Sequence, residues 1–290
     1  MNAADEVFGA ERPRLLGLAY RILASYADAE EVVQEAWIRW QGVDHDTIER
    51  PAAYLTTILT RLALDRARTI ARRREHYVGP WLPEPIALEH GPEDHAEMAE
   101  SLTLGFLMLL DRLSPTERAV WLLAEVFGEP YALIASATAK SGAACRQIAT
   151  RARRRLREER PAPPQRLDPG LLRRLLAAVG AGDLDQTLDL LDADVVLVSD
   201  GGPDHHAARH PVVGADRVAR LAINLARRGE VTALREATIN GAAALVVEID
   251  GGMPLVLTGE QQDGRHPHLP APQRRQARRP LCPSGHHVRR

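Results

Sequence analysis

The sequence predicts a mostly α-helical protein with a helix-turn-helix near its middle and a smaller α+β domain towards its C-terminal end. Three observations carry that expectation. Apolar residues recur at three- and four-residue spacing through the first half of the chain, the pattern of helices buried on one face. Proline-rich stretches around residues 80–92 and 161–164 break the pattern and mark boundaries. Valine-rich apolar runs of strand length appear only beyond residue 190. With 290 residues, two or three domains with their own cores are affordable by size.

Phe8, Leu15, Leu16, Ala19, Tyr20, Ile22 and Leu23 trace one face of a first helix. Asp28 to Trp37 belongs to a second, with Val32, Val33, Ala36, Trp37 and Trp40 as its apolar side. Asp28, Glu31 and Glu35 fall at three- and four-residue spacing on another side, with Gln34 beside them. An acidic stripe this regular asks for a basic partner. After a loop at 41–50, a third helix is expected from Pro51 to about Glu75, with Tyr54, Leu55, Ile58 and Leu62 inward. Residues 61–75 hold six arginines (Arg61, Arg66, Arg68, Arg72, Arg73 and Arg74) against Asp65 and Glu75, a local charge of +4. Such a face suits phosphate, at a strength that falls steeply with salt.

Residues 78–100 read as a linker, because Pro80, Pro83, Pro85, Pro92, Gly79 and Gly91 oppose regular structure. Residues 84–100 carry six acidic side chains and no lysine or arginine. Within this stretch lies Trp81, Leu82, Pro83, Glu84 and Pro85. A tryptophan and a leucine left in water there would be wasteful, so the segment is expected to dock on a surface. A helix from about Ala96 to Arg112 follows.

The region from Leu113 to Leu156 carries the strongest signal. Ser114 and Glu117 form a capping box around Pro115, opening a helix that ends near Gly128. A short helix starts near Pro130, a turn falls at Ala139 and Lys140, and Ser141 caps a third helix. Two short helices, a tight turn and a longer basic helix make the helix-turn-helix pattern. Cys145, Ile148, Ala152 and Leu156 are expected inward, which turns Arg146, Gln147, Thr150, Arg151 and Arg154 outward. Residues 140–160 carry eight basic against two acidic side chains, although the whole chain is −2. Arginine forks onto guanine edges and phosphates and glutamine pairs with adenine, so this face suits a major groove.

Pro161 to Pro164 closes the helical half. Beyond it, helices are expected at 171–179, 184–191 and 217–228, and strands at 195–199, 233–238, 243–249 and 255–258. Asp200, Asp204, His205, His206 and His210 are the candidates for acid, base or metal chemistry here, but clustered histidines on a loop are usually solvated. No Phe, Tyr or Trp follows Tyr131, which removes the usual lining of a pocket for ring-shaped substrates. A regulatory module fits better than an enzyme. From Glu260 the chain is rich in Pro, Arg and His, shows no strand alternation, and is expected to be disordered. Cys145 and Cys282 are too few for a disulfide framework or a zinc site, and no cofactor or metal is expected. No signal pattern and no apolar run of membrane-spanning length occur, so the sequence reads as cytoplasmic with no membrane association.

Leu113 to Leu156 resembles the fourth region of bacterial extracytoplasmic-function (ECF) sigma factors of the sigma-70 family, the part that reads the minus-thirty-five promoter element. One departure is that the family usually has a glycine near Ala139. Asp28 to Trp37 resembles the second sigma region, whose helix docks on the largest polymerase subunit. Carried over position by position, the resemblance implies core polymerase contacts at Asp28, Glu30, Gln34 and Glu35. It implies minus-ten contacts at Arg61, Arg66, Arg68, Arg72 and Arg73, and minus-thirty-five contacts at Arg146, Gln147, Thr150, Arg151 and Arg154. Trp81 to Pro85 is similar to the motif of a subgroup extended by a C-terminal SnoaL-like cone, a fold shared with polyketide cyclases and ketosteroid isomerases. Relatives end on a further strand and an N-P-D-K-L-like motif, absent here, so the cone is expected to be incomplete.

The implied organisation is a region-two helical domain at 1–77, an acidic linker at 78–100, a region-four helix-turn-helix at 101–160, a SnoaL-like regulatory domain at 166–259 and a tail at 260–290. The implied partners are RNA polymerase core enzyme and promoter DNA. The third domain would stand in for an anti-sigma protein by packing on the linker and the region-two domain, so that no separate anti-sigma protein is strictly required. Two other readings remain open from sequence: a SnoaL-type enzyme fused to a DNA-binding domain, and a repressor or activator binding duplex operator through the same helix-turn-helix.

Overall fold

In a computed structural model of the chain the described residues are 3–74, 79–86, 104–158, 165–166, 168–200, 208–229, 231–240, 242–249, 255–258 and 260–261. They divide into two compact units: residues 1–76 with 106–160, and residues 77–105 with 161–290.

The first unit is helical. Helices α1 (Ala3–Leu23), α2 (Tyr26–Gln41) and α3 (Pro51–Arg74) pack on one another around Leu15, Leu18, Tyr20, Leu55 and Leu59. Ser25 caps α2, its hydroxyl accepting the Asp28 N–H at 3.2 Å. Trp40 is almost wholly buried, and its indole N–H donates to the Ala4 carbonyl at 2.9 Å, so the ring anchors α2 to the start of α1 without an orphaned donor. Between α2 and α3 lies a single 3-10 turn at His45–Thr47.

Helix α4 (Leu104–Leu110) leads to α5 (Pro115–Trp121), which begins with the expected capping box: Ser114 Oγ accepts the Glu117 N–H and Glu117 Oε2 accepts the Ser114 N–H. The expected single helix to Gly128 is not uniform. After Trp121 the backbone widens into a π-helical turn over Leu122–Val126, where the Phe127 N–H reaches back to Leu122 O, and the chain then turns at Gly128 with φ +64°. Helix α6 (Tyr131–Thr138) and helix α7 (Gly142–Glu158) follow, with Ser141 Oγ accepting the Ala144 N–H at 3.1 Å. The buried face of α7 is Cys145, Ala149, Ala152 and Leu156; Ile148, expected inward, is half-buried, one position off the centre of the stripe.

A cluster of charge ties these helices together. Arg118 on α5, 5% exposed, donates to Leu110 O, to Ile22 O at the end of α1 and to Asp111 Oδ1. Asp111 also accepts from Arg74 at the end of α3, at 2.6 Å. Burial alone would raise the Asp111 pKa, but the charges and hydrogen bonds of Arg74 and Arg118 outweigh it and hold the carboxyl below its ordinary range.

In the second unit, α8 (Pro169–Ala181) and α9 (Leu184–Asp189) are capped by Asp168 and Asp183. Strand β2 (Val196–Leu197) pairs antiparallel with β3 (Val212–Val213), ahead of α10 (Ala215–Ala226). Val195, Leu197 and Val218 form a small core there. Strands β4 (Val231–Ile239), β5 (Ala242–Ile249) and β6 (Leu255–Thr258) make an antiparallel sheet in that order, with Ala237, Ile239, Ala244, Val246 and Val256 on one buried face. The β2 strand is shorter than its expected 195–199 span, and β3 was not expected. The tail expectation is corrected at its start: β7 (Glu260–Gln261) pairs with β1 (Gln165–Arg166), because the polypeptide after Pro164 supplies an edge that sequence alternation does not reveal. Residues 262–290, the beginning of the helix expected from Ala96, and Asp204, His205 and His206 lie outside the described residues.

Two predictions follow from these geometries. Ala139 closes α6 at φ +53°, ψ +42°, a left-handed conformation that costs a residue with a Cβ about 1 kcal/mol. Ala139→Gly is expected to stabilise the first unit by about that amount in denaturant melts. For Asp111, whose folded-state pKa is depressed, the stabilisation is present above the unfolded carboxyl range and is lost as pH falls through the folded value. Asp111→Asn should therefore be less stable than the parent near neutrality by about 3 kcal/mol, and the gap should narrow below about pH 4; melts across pH 3–7 check the sign.

Candidate nucleic-acid interface and docking surfaces

On α7 the side chains of Arg146, Gln147, Thr150, Arg151 and Arg154 are all exposed, because the buried stripe of Cys145, Ala149, Ala152 and Leu156 fixes the rotation of the helix. They share one outer face. The Arg146 guanidinium lies 5.6 Å from the Tyr131 ring centroid, which orients it across the start of α6. Thr150 Oγ1 donates to Arg146 O, and Arg154 has only a loose contact with Glu158 at 3.8 Å. Arg153 is different: it pairs with Glu125 on the π turn, which raises its pKa, so it braces the motif. Glu117 is pushed up by burial but held lower overall by its bonds to Ser114 and the nearby Arg155 and Arg151, so the cap stays anionic beneath the basic helix.

The α3 arginines do not form one free surface. Arg61 Nη2 donates to Ser136 O on α6 at 2.9 Å, and Arg68 pairs with Asp65 at 2.7 Å. Arg66 reaches across to α2, donating to Asp28 Oδ1 and Glu31 Oε2 at 2.5 Å each, bonds that raise its own pKa. Arg72 and Arg73 project into solvent at the end of the helix. The candidate phosphate-binding Arg66 and candidate docking acid Asp28 therefore neutralise each other. Both retain solvent exposure, so the pair is weak, about 0–1 kcal/mol, and exchangeable.

Along α2 the remaining docking candidates face outward. Glu30 accepts from Tyr26 Oη at 3.2 Å, Glu35 pairs with Arg39 at 2.7 Å, and Gln34 is exposed. Ile38 stands 60% exposed, one helical turn from Gln34 and Glu35. Sequence reasoning missed this residue, which adds an apolar centre to a polar stripe; its signal is an isoleucine off the stripe of Val32, Val33, Ala36 and Trp40.

In the second unit the segment Trp81 to Pro85 is docked. Leu82 and Pro83 are buried, as is Ile86 just beyond, while Trp81, Glu84 and Pro85 are half-buried. The Leu82 N–H donates to Asp200 Oδ2 at 2.8 Å. Asn240 grips Ile86 twice, its Oδ1 accepting the Ile86 N–H at 2.9 Å and its own N–H donating to Ile86 O at 3.0 Å. Burying two aliphatic side chains contributes roughly 1.5–3 kcal/mol each, against about 1 per hydrogen bond, so leucine and isoleucine hold the segment and the polar pairs set its register. Asp200, weighed from sequence as a catalytic candidate, has its carboxylate on this backbone N–H. Asn240 was missed; its signal is the Asn-Gly pair at 240–241, where Asn tolerates the φ of +48° that the β4–β5 turn imposes. His210 is exposed on a loop, and among the described residues no cluster of His, Cys, Asp and Glu is arranged to hold a metal ion. No helix among the described residues is long and apolar enough to cross a membrane.

Comparison with known proteins fits this division of labour. Residues 7–74 match the family model described as sigma-70 region 2, and residues 104–156 match sigma-70 region 4. The chain is 38% identical to the ECF RNA polymerase sigma factor SigJ of Mycobacterium tuberculosis over 81% of this chain and 78% of that protein. It is 34% identical to the probable ECF RNA polymerase sigma factor SigI of the same organism, over 72% of each. Its fold matches the crystal structure of M. tuberculosis SigJ with a TM-score of 0.68 at 30% identity, covering 96% of this chain and 94% of that one.

For the α7 face the charge arithmetic makes a direct prediction. Arg151→Ala is expected to weaken binding to duplex DNA and to lower the slope of log affinity against log salt by about 1, read by fluorescence anisotropy at several salt concentrations.

Proposed function

We propose, on the premise that the chain belongs to the ECF sigma factor family of RNA polymerase, an assignment of its surfaces to the steps of transcription initiation. The chain is a sigma factor and thus a transcription regulator, acting with RNA polymerase core enzyme on promoter DNA. The observation that carries the surface assignment is the outer face of α7: five side chains suited to base edges and phosphates, held outward by a buried stripe that leaves the helix no other rotation. This face reads the minus-thirty-five element. Gln34, Glu35 and Glu30, with Asp28 at the edge and Ile38 as apolar centre, dock on a basic surface of the core enzyme. Arg61, Arg66, Arg68, Arg72 and Arg73 contact the minus-ten element, chiefly through phosphate.

The C-terminal α+β domain acts as a built-in regulator in the cytoplasm, without catalysis of its own. It takes the place of a separate anti-sigma protein by holding the segment Leu82–Ile86 through Asp200 and Asn240. Support comes from the use of Asp200, the most buried of its candidate acids, as an acceptor for a backbone N–H, which removes it from acid–base chemistry. The SnoaL-like character of this domain, its incompleteness, and the boundaries at 1–77, 78–100, 101–160, 166–259 and 260–290 belong to the same reading.

Run-off transcription with purified core polymerase tests the assignment. Specific initiation should require the chain and fall at least tenfold when Gln34 and Glu35 are both changed to Lys, with duplex binding by α7 retained. Unchanged initiation by that variant would remove the docking surface from α2.

A further inference from the structure

The two promoter-reading regions do not stand apart in this chain. Residues 7–74 and 104–156 lie in the same compact unit, with α3 packed along α5 and α6. Their contacts are mostly polar. Arg61 donates to Ser136 O at 2.9 Å, Arg14 to Glu129 Oε1 at 3.3 Å, and Arg118 to Ile22 O at 2.8 Å, while Arg74 and Arg118 meet on Asp111. The Arg21 guanidinium lies 5.6 Å from the Phe127 ring centroid. Beneath the Asp111 cluster an unfilled cavity of about 160 Å³ is lined by residues of both regions, among them Ile22, Ile70, Arg74, Asp111, Pro115 and Arg118. Polar pairs around a void resemble the separable interfaces between domains rather than a single dry core.

The promoter sets a length that this arrangement cannot meet. Elements centred near minus ten and minus thirty-five are some 25 base pairs apart, or about 85 Å of duplex at 3.4 Å per step. A compact body of about 130 residues has a radius of gyration of about 14 Å and is roughly 36 Å across. The polypeptide joining the regions, residues 75–103, can extend to about 95 Å. Arg61, assigned to the minus-ten side, is moreover held by the first helix of the helix-turn-helix. We infer that the first unit is a closed, self-inhibited form of the sigma factor, latched by Arg14–Glu129, Arg61–Ser136 and the Arg74–Asp111–Arg118 cluster, and that promoter engagement requires it to open along this seam. The inference rests on the sigma reading for the span, and on the contacts alone for the closure.

Energy transfer between dyes at Gln41→Cys and Glu158→Cys, exposed positions in the two regions, tests it in the full chain with Cys282→Ser. High transfer is expected in the free chain, falling when core polymerase and promoter DNA are added. Glu129→Arg, which sets like charge against Arg14, should lower transfer in the free chain and tighten core binding several-fold; Ser136→Pro is avoided because it would break α6. Low transfer in the free parent chain, or high transfer persisting in a complex that initiates, would overturn the closed form. A chain that fails to co-elute with core polymerase removes the sigma reading instead, and closure is then decided by the free-chain transfer and its response to Glu129→Arg.

Discussion

The buried guanidinium of Arg118 is the constraint around which the helical unit is arranged. A cation taken out of water must meet acceptors with good geometry or it costs several kcal/mol, and Arg118 meets three: the carbonyls of Leu110 and Ile22 and the carboxylate of Asp111. Burial depresses its pKa while Asp111 acts in the opposite direction. Since Asp111 also accepts from Arg74, the ends of α1, α3 and α4 converge on the first turn and a half of α5. The capping box immediately before Arg118 fixes where α5 starts, and hence where the guanidinium points. Apolar packing could place these helices in several rotations; the charge cluster selects one.

Elsewhere the charges of this unit are shallow, which suits a protein that must exchange partners. Arg66 with Asp28 and Glu31, Glu35 with Arg39 and Arg68 with Asp65 are surface pairs, each contributing little against water and salt. A basic docking surface or a phosphate row can displace such pairs without first paying a large desolvation cost. The contrast between one deep cluster and many shallow ones separates what holds the unit from what it offers to partners.

The second unit solves a different problem. A linker containing Leu82 and Ile86 would expose apolar surface if it were free, and the C-terminal domain removes it from water. Asp200 after β2 and Asn240 in the β4–β5 turn address the two ends of the docked segment, so elements forty residues apart cooperate on one short stretch. Proline at 83 and 85 keeps that stretch extended and leaves few N–H groups to satisfy, which is why two side chains suffice to set its register.

Periodicity and capping determined the helical regions, the helix-turn-helix, the outward face of α7 and the discomfort of alanine at position 139, because each depends on residues within a few positions of one another along the chain. The strand-bearing C-terminal domain was legible as a class but not in detail: β3 and the β1–β7 pair are two residues long and exist only because a distant edge completes them. Tertiary structure alone decided which arginines are free and which are held. Arg61, Arg66, Arg74 and Arg118 look alike in a basic helical sequence, yet one grips a distant carbonyl, one spans to α2, and two share a buried carboxylate. The reason is physical: local sequence sets the face on which a side chain emerges, whereas its partner is set by whichever helix packs opposite, through contacts separated by tens of residues in the chain.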